Sequence, residues 1–355
     1  MKNIIVLGNS FAGIKTAEEI RELDSESEIA VFCQESVPPV NRERFAEYFK
    51  KEISESQFLY QSAKFYQEKK ITIVLDKKIA KINLNRKYLT IEEKEKVPFE
   101  ILVLADTGDI KFPDIKGTNK DGVFSFRGAT GFHEVFKRIP LCETIVVESA
   151  HPDGVKAADA LRKRGREVLL ISPSEYLLAG YLEREVSALL TKSLEQSGIR
   201  VFTECRISEI LGESEVRAVR LSSGKVFSGE MVIFADAPDS LRKLMDTPLE
   251  MNDRICVDAA FKTNVEGVFA VGDICEFRQK ASGRIEGNNP DVAQEQARVV
   301  AVNIAGTPAE FDASLSVRLF NVEPFLSQQI QEDAQEAPDA PGVEEATKVS
   351  EGRVE

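Results

Sequence analysis

Histidine is scarce in this 355-residue chain, with His133 and His151 its only two. Histidine-based metal or acid–base chemistry therefore has little material to work with, and neither a metal site nor a catalytic side chain is expected. The five cysteines, Cys33, Cys142, Cys205, Cys256 and Cys275, are scattered and odd in number. None stands in a C-x-x-C or other close redox pair, which argues against a zinc site, a secreted disulfide scaffold and a dithiol centre. They read as free, buried thiols. Long apolar runs are missing too, and none approaches the ~20 residues that cross a bilayer. The apolar start of the chain ends at Gly8 and Asn9, too soon for a signal peptide, so a cytoplasmic location is the default expectation. Positive charge is in deficit: the net charge is −13 and the isoelectric point near 5.0. Such a surface repels phosphate backbones and anionic lipid, which removes nucleic acid and membranes from the expected partners.

What remains is ordinary for a soluble globular protein, with 43 % hydrophobic and 30 % charged residues, and long enough for two or three domains. The stretch "NIIVLGNSFAGIKTAEEIRELDSESEIAVFCQES" reads as strand, glycine turn, helix, strand. Ile4 to Leu7 form the unbroken apolar run of a strand buried on both faces. Ile14, Ala17, Ile20 and Leu23 give the helix one apolar stripe. A β-meander follows and ends in a buried strand, Ile101 to Ala105. The same plan returns in "IVVESAHPDGVKAADALRKRGREVLLIS", Ile145 to Ser172, followed by a long amphipathic helix and a second meander. The chain thus carries one Rossmann-like plan twice, each time with an antiparallel insert.

The first turn, "GNSFAG", is built for a dinucleotide. Gly8 permits the sharp turn, Gly13 lets helix and strand approach, and the free amides at the helix start attract a diphosphate. Ser10 replaces the middle glycine, between Gly8 and the pair Phe11–Ala12. At the end of the next strand, Glu35, beside Ser36, can accept both hydroxyls of an adenosine ribose. Further on, "TNVEGVFAVGD" ends a strand in Gly272–Asp273. This stretch resembles a flavoprotein fingerprint, in which an acid holds a ribityl hydroxyl and a glycine lets the ribityl–phosphate chain pass the backbone.

These elements resemble the pyridine nucleotide–disulfide oxidoreductase superfamily of two-dinucleotide-domain flavoproteins. The segment "PPVNRERFAEYFKKEI" is most similar to NAD(P)H:rubredoxin reductases and to the flavin-binding part of assimilatory nitrite reductases. That subgroup has no redox disulfide, in agreement with the cysteines. The resemblance runs from Met1 to about Ser327 and implies FAD as cofactor. It places Arg42 near the adenosine end and the Ile79 backbone at the adenine. It matches Thr107 and Gly108 to the Ala-Thr-Gly strand end, with Asp106 in place of the usual alanine. It also puts Ala293 and Gln296 on a helix whose positive N-terminal end faces the flavin ring.

The internal copy departs from this pattern. Its turn reads Ser149, Ala150, His151, Pro152, Asp153, Gly154, so one glycine survives and Pro152 supplies no amide. Asp153 and Glu148 add negative charge where an anion would rest. Ser172 stands where an acid should hold the nicotinamide cofactor's ribose. A further family turn, "FADAPDS" (Phe234 to Ser240), has no glycine, and Glu47 replaces a lysine near the flavin's reactive edge. His151 reads as a solvent-facing loop residue, and "RKRGR" (Arg162 to Arg166) as a solvated helix end. These departures speak against ordinary NAD(P)H binding.

The expected architecture is an α/β, three-layer, glutathione-reductase-like fold with two Rossmann-type domains. An FAD-binding domain takes residues 1–110 and 241–306, and a degenerate NAD(P)-binding-like domain takes 111–240. Residues 307–327 form the remnant of an interface domain, whose apolar Leu315, Val317, Leu319 and Phe320 suit another polypeptide, and 328–355 an acidic disordered tail. The expected function is electron transfer between FAD and a protein partner of iron–sulfur or rubredoxin type, within a larger complex. Two alternatives stand beside it: a working NAD(P)H oxidoreductase with an atypical turn, and a non-catalytic scaffold.

Overall fold

The computed structural model describes residues 1–92, 94–106, 111–126, 128–235, 247–277, 290–312 and 322–326. The chain opens with β1 (Asn3–Leu7), α1 (Phe11–Leu23) and β2 (Glu28–Phe32). Three short helices follow: α2 (Phe45–Lys50), α3 (Glu55–Phe58) and α4 (Ala63–Glu68). Next come β3 (Ile71–Val74), the meander β4 (Ile79–Asn83), β5 (Tyr88–Ile91) and β6 (Lys96–Pro98), then β7 (Ile101–Leu104). The second unit runs through β8 (Val123–Ser125), α5 (Gly128–Arg138), β9 (Thr144–Glu148), α6 (Pro152–Lys163), β10 (Glu167–Ile171), α7 (Arg184–Gln196) and β11 (Ile199–Phe202). Its meander is β12 (Ile207–Leu211), β13 (Ala218–Leu221) and β14 (Val226–Ser228), and β15 (Met231–Phe234) closes it. Then come β16 (Ile255–Val257), β17 (Val268–Ala270), β18 (Cys275–Phe277) and α8 (Pro290–Ile304).

Two five-stranded parallel sheets result, ordered β17-β7-β1-β2-β3 and β11-β10-β9-β15-β8. Parallel sheets need cover on both faces, and the strand sequences supply the apolar runs for it. Ile4, Val6, Leu102, Val103 and Leu104 are fully buried, as are Ile145, Val146, Val147 and Leu169. The first sheet draws strands from both ends of the chain, because β17 pairs with β7 in register Val268↔Leu102. The chain reverses direction across the sheet at β1, which lies between β2 and β7. In open α/β sheets a ligand crevice lies outside the carboxyl ends of the strands at such a point.

Helix α1 starts at its N-cap Ser10 and packs its buried face, Ile14, Ala17 and Ile20, beneath the first sheet. Helix α8 lies against α1, with Gln294 donating to Glu19 at 2.6 Å. Helix α6 carries Ala157, Ala158 and Ala160, all buried, and small side chains let it touch its own strands and α2 together. The segment 40–59 thereby joins the second core, where Phe45 lies 5.2 Å from Phe126 and Tyr48 stacks on Phe58 at 4.4 Å.

Candidate functional site

The first turn leaves β1 at Gly8, whose φ of +112° belongs to the left-handed region. A β-carbon there would lie 2.5 Å from the Asp106 amide nitrogen. One on Gly13 would lie 2.7 Å from both the Ala105 β-carbon and the Gly8 carbonyl oxygen. The two glycines therefore let α1 begin hard against the ends of β1 and β7. Ser10 does not project into this space. Its hydroxyl donates to the Ala105 carbonyl at 3.2 Å and accepts from the Gly13 amide at 3.3 Å. Ala12 is buried, and Phe11 packs edge-on against Tyr60 at 5.3 Å.

Gly272 completes this side of the crevice. Its φ is +77°, and a β-carbon on it would sit 3.5 Å from that of Ala12 and 4.0 Å from the Ser10 hydroxyl. Its amide donates to Gln296 Oε1 at 2.7 Å. Gln296 is fully buried, yet its Nε2 has no hydrogen-bond partner among the described residues. An orphaned buried donor is costly unless something accepts from it. Asp273 follows in the same short turn, and Ala293 is buried on α8, three positions before Gln296.

Of the residues expected at the adenosine end, Glu35, Arg42 and the Ile79 amide each already have a protein partner. Glu35 accepts from the Ala129 amide at 2.8 Å and the Thr130 amide at 2.9 Å, so it holds the first turn of α5. Asn9 also donates to it, at 3.1 Å. Gly128 makes the contact feasible, since a β-carbon there would lie 2.2 Å from Glu35 Oε1. The Arg42 guanidinium pairs with Asp153 at 3.2 Å and lies over the Phe132 ring. The Ile79 amide donates to Gln34 Oε1 at 3.2 Å, and Ser36 is exposed. Thr107 and Gly108 lie outside the described residues, as do Asp236 to Ser240 of the glycine-free turn.

The internal copy keeps the strand–helix–strand frame, with the Ser149 side chain lodged against its one remaining glycine. Ser149 Oγ accepts from the His151 amide at 2.9 Å and donates to the His151 carbonyl at 3.1 Å. A β-carbon on Gly154 would lie 2.2 Å from the Ser149 β-carbon, so the serine occupies the hollow beside the surviving glycine. Ser172 is fully buried and accepts from the Ser174 amide at 3.3 Å. Three expectations are corrected here. Glu148 faces away from the turn, because it is buried and accepts from the Ile207 amide at 2.6 Å. His151 is half-buried rather than solvent-facing, edge-on to Tyr181 at 5.3 Å. The basic run is no solvated helix end: Arg162 donates to the Ser197 carbonyl at 2.6 Å, Arg166 to the Cys142 carbonyl at 2.8 Å, and Arg164 to the Phe49 carbonyl. Carbonyl-rich chain ends draw in these cations.

Glu47 pairs with Arg44 at 2.7 Å. All five cysteines are free and four are buried, and burial pushes the Cys33 and Cys275 thiols well above their usual range. No cluster of potential metal ligands occurs among the described residues. None of their helices is long and apolar enough to cross a membrane. Asn9, Gln34 and the start of α5 were not singled out in the sequence. Each acts through a hydrogen bond to a distant residue, and only Gly128 ahead of a helix hinted at one.

Two parallel sheets of Rossmann type, with a glycine-lined turn at the switch point of the first, define an α/β protein of the two-dinucleotide-domain class. The sequence profile of the pyridine nucleotide-disulphide oxidoreductases matches residues 2–297, and the chain belongs to that family. It is similar to an NADH oxidase of Methanocaldococcus jannaschii, at 26 % identity over 86 % of this chain and 71 % of that protein. It is equally similar, at 26 %, to the rubredoxin-NAD(+) reductase of Ectopseudomonas oleovorans, over 86 % and 80 % of the two chains. The assimilatory nitrate reductase electron transfer subunit of Bacillus subtilis is 22 % identical over 94 % of this chain, which spans only 43 % of that protein. Among solved structures, an NAD-dependent persulfide reductase from A. fulgidus superposes with a TM-score of 0.78 at 25 % identity, covering 87 % of this chain and 60 % of that one.

A flavin dinucleotide fits the first crevice on two observations: the Gly272 turn, where a β-carbon would meet nothing nearer than 3.5 Å, and the buried Gln296 Nε2, which has no hydrogen-bond partner among the described residues. Gly8, Gly13 and the α1 start would hold its diphosphate, and Gly272 and Asp273 its ribityl chain. When bound, such a cofactor supplies the electron or hydride chemistry, while the protein orients it and tunes its electronics.

Proposed function

We propose that this chain is a flavoprotein that passes electrons between FAD and a protein redox partner of rubredoxin or iron–sulfur type, as a subunit of a larger assembly. The flavin unit takes residues 1–110 and 241–306, and the inserted unit, 111–240, serves as a structural wall without ordinary NAD(P)H binding. One observation carries this reading: Ser149 fills the hollow beside Gly154 and takes up the His151 amide that a diphosphate would need. Pro152 offers no amide, and Asp153 brings a carboxylate to the same helix start. Similarity to a rubredoxin reductase and to an electron transfer subunit supports a protein as the other redox party.

The second reading is direct oxidation of NAD(P)H. The β9–α6–β10 frame favours it, being intact and in parallel register from Thr144↔Glu167 to Glu148↔Ile171. Anaerobic titration of the flavin-loaded protein, followed by visible absorbance, separates the two. Dithionite should bleach the flavin, while NADH and NADPH do so slowly or incompletely. Fast stoichiometric bleaching by either nucleotide would overturn the proposed role of the inserted unit. A preparation that takes up no flavin would overturn the whole reading in favour of a non-catalytic scaffold.

A further inference from the structure

We propose that the outer face of the first meander is the docking surface for an acidic stretch of this chain itself, Glu332 to Glu345. The inference holds with or without a bound flavin. Its first support is the placement of charge. The chain carries a net charge of −13, yet Lys77 to Pro98 contain seven basic and three acidic side chains. Ile79, Ile82, Leu89 and Ile91 turn inward, so Lys81, Thr90 and Lys96 form one row across β4, β5 and β6 on the outside. Lys78 and Arg86, at the two ends of β4, are exposed as well. None of Lys78, Lys81, Arg86 and Lys96 pairs with a carboxylate among the described residues, and Lys96 lies over the Tyr88 ring at 4.9 Å. The second meander is a control within the same molecule. There Arg220 pairs with Glu209 at 3.2 Å, Lys116 with Glu209 at 2.9 Å, and Arg217 with Glu215. One copy of the plan neutralises its cations, and the other leaves them open.

The second support is what fits the face. Glu332, Asp333, Glu336, Asp339, Glu344 and Glu345 place six carboxylates in fourteen residues, with no basic side chain among them. This stretch lies outside the described residues. The last described residues before it, 322–326, are held on α7 by the bond from Ser193 to the Phe325 carbonyl. From there to Glu345 an extended chain spans up to about 65 Å, and a body of this chain length is roughly 50 Å across. Tethering raises the effective concentration of the acidic stretch to the order of millimolar, which suits ion pairs that are weak one by one. A nucleic acid or an anionic membrane would reach past this small face onto a surface of net negative charge. A short acidic stretch matches it in size and sign.

The test is an amide correlation spectrum of the nitrogen-labelled full chain, read at residues 332–345. At about 0.02 M salt these signals should be broadened or shifted, and they should sharpen to unfolded-chain positions at about 0.5 M, where screening dissolves the contact. Lys81→Glu combined with Lys96→Glu should give the sharpened signals already at low salt. Lys225→Glu, an exposed position beside β14 of the second meander, should leave them as in the wild type. Core amide signals report whether each variant keeps its fold, and the wild-type salt titration needs no variant at all. Sharp, salt-independent signals from 332–345 in the wild type would overturn the proposal, as would broadening that survives the double charge reversal. Broadening that grows with protein concentration would assign the contact to a second copy instead. The wild type is also mixed with a DNA duplex and with phosphatidylserine vesicles. Binding of either that is lost in the double variant, with the signals of 332–345 sharp throughout, would give the face to that anion and overturn the proposal.

Discussion

At the scale of single residues, His133 shows how a polar side chain behaves once the core has claimed it. It sits on the buried face of α5, with Nδ1 3.4 Å from the Tyr48 hydroxyl and Nε2 unpartnered among the described residues. Burial lowers its pKa, and Glu55 opposes the shift incompletely. The unfolded chain takes up a proton near pH 6.5, while the folded chain resists it to lower pH. This part of the stability is therefore complete above about pH 6.5 and is lost as the pH falls below it. Urea midpoints measured at about pH 7.5 and about pH 5.5 should drop on acidification, and drop less in His133→Gln. An unchanged pH response in that variant would show that other groups govern the acid limb. Arg162, Arg164 and Arg166 make the complementary point. Their clustering marked a helix end in the sequence, but the carbonyl that Arg164 reaches belongs to Phe49, 115 positions away. No local pattern encodes such a partner.

Among the elements, α5 is the one whose placement could least be read in advance. Its amphipathic residues are visible in the sequence, and its first turn lacks an acidic side chain of its own. The missing acceptor comes from Glu35, which takes the Ala129 and Thr130 amides from more than ninety positions upstream. The residue expected to hold a ribose is thus a helix cap from another part of the chain. Removing it in Glu35→Ala leaves two helix amides without their carboxylate and should cost about 1–2 kcal/mol. Thermal denaturation should register that cost, and hydrogen exchange should show faster opening confined to the α5 start. If stability and exchange both stay at wild-type values, the capping role is wrong. The short segment Glu323–Phe325 is placed in a comparable way. Ser193 of α7 donates to the Phe325 carbonyl at 2.7 Å, and Val322 is buried in the second core. The end of the expected interface-domain remnant therefore lies on this chain's own α7, while Leu315 to Phe320 lie outside the described residues.

For the whole molecule, the segment between β2 and β3 joins the two sheets. Polar links run from it to α6 through Arg42–Asp153 at 3.2 Å and Lys156–Glu43 at 3.5 Å. The stronger link is aromatic: Phe45, Phe49, Phe126 and Phe132 form one fully buried group. Phe45→Ala should cost about 3–5 kcal/mol, while Arg42→Ala should cost about 1 kcal/mol or less, because a partly exposed ion pair is screened by water. Denaturant titration of both variants tests that ranking, and a larger loss in Arg42→Ala would reverse the assignment. The two parallel sheets and the doubled plan were legible because buried strands show as apolar runs and helices as three- and four-residue spacing. The crevice was legible at Gly8, Gly13 and Gly272, where positive φ or close approach excludes a β-carbon.

The sequence by itself therefore determined the α/β plan, its repetition, the family and the glycine turn ahead of α1, since each is carried by residues close together along the chain. Only the tertiary structure decided that Ser149 seals the second turn, that Glu35 serves α5 and that Arg42 serves Asp153. A carboxylate or guanidinium can satisfy many partners, and which one it meets is settled by the packing of segments far apart along the chain.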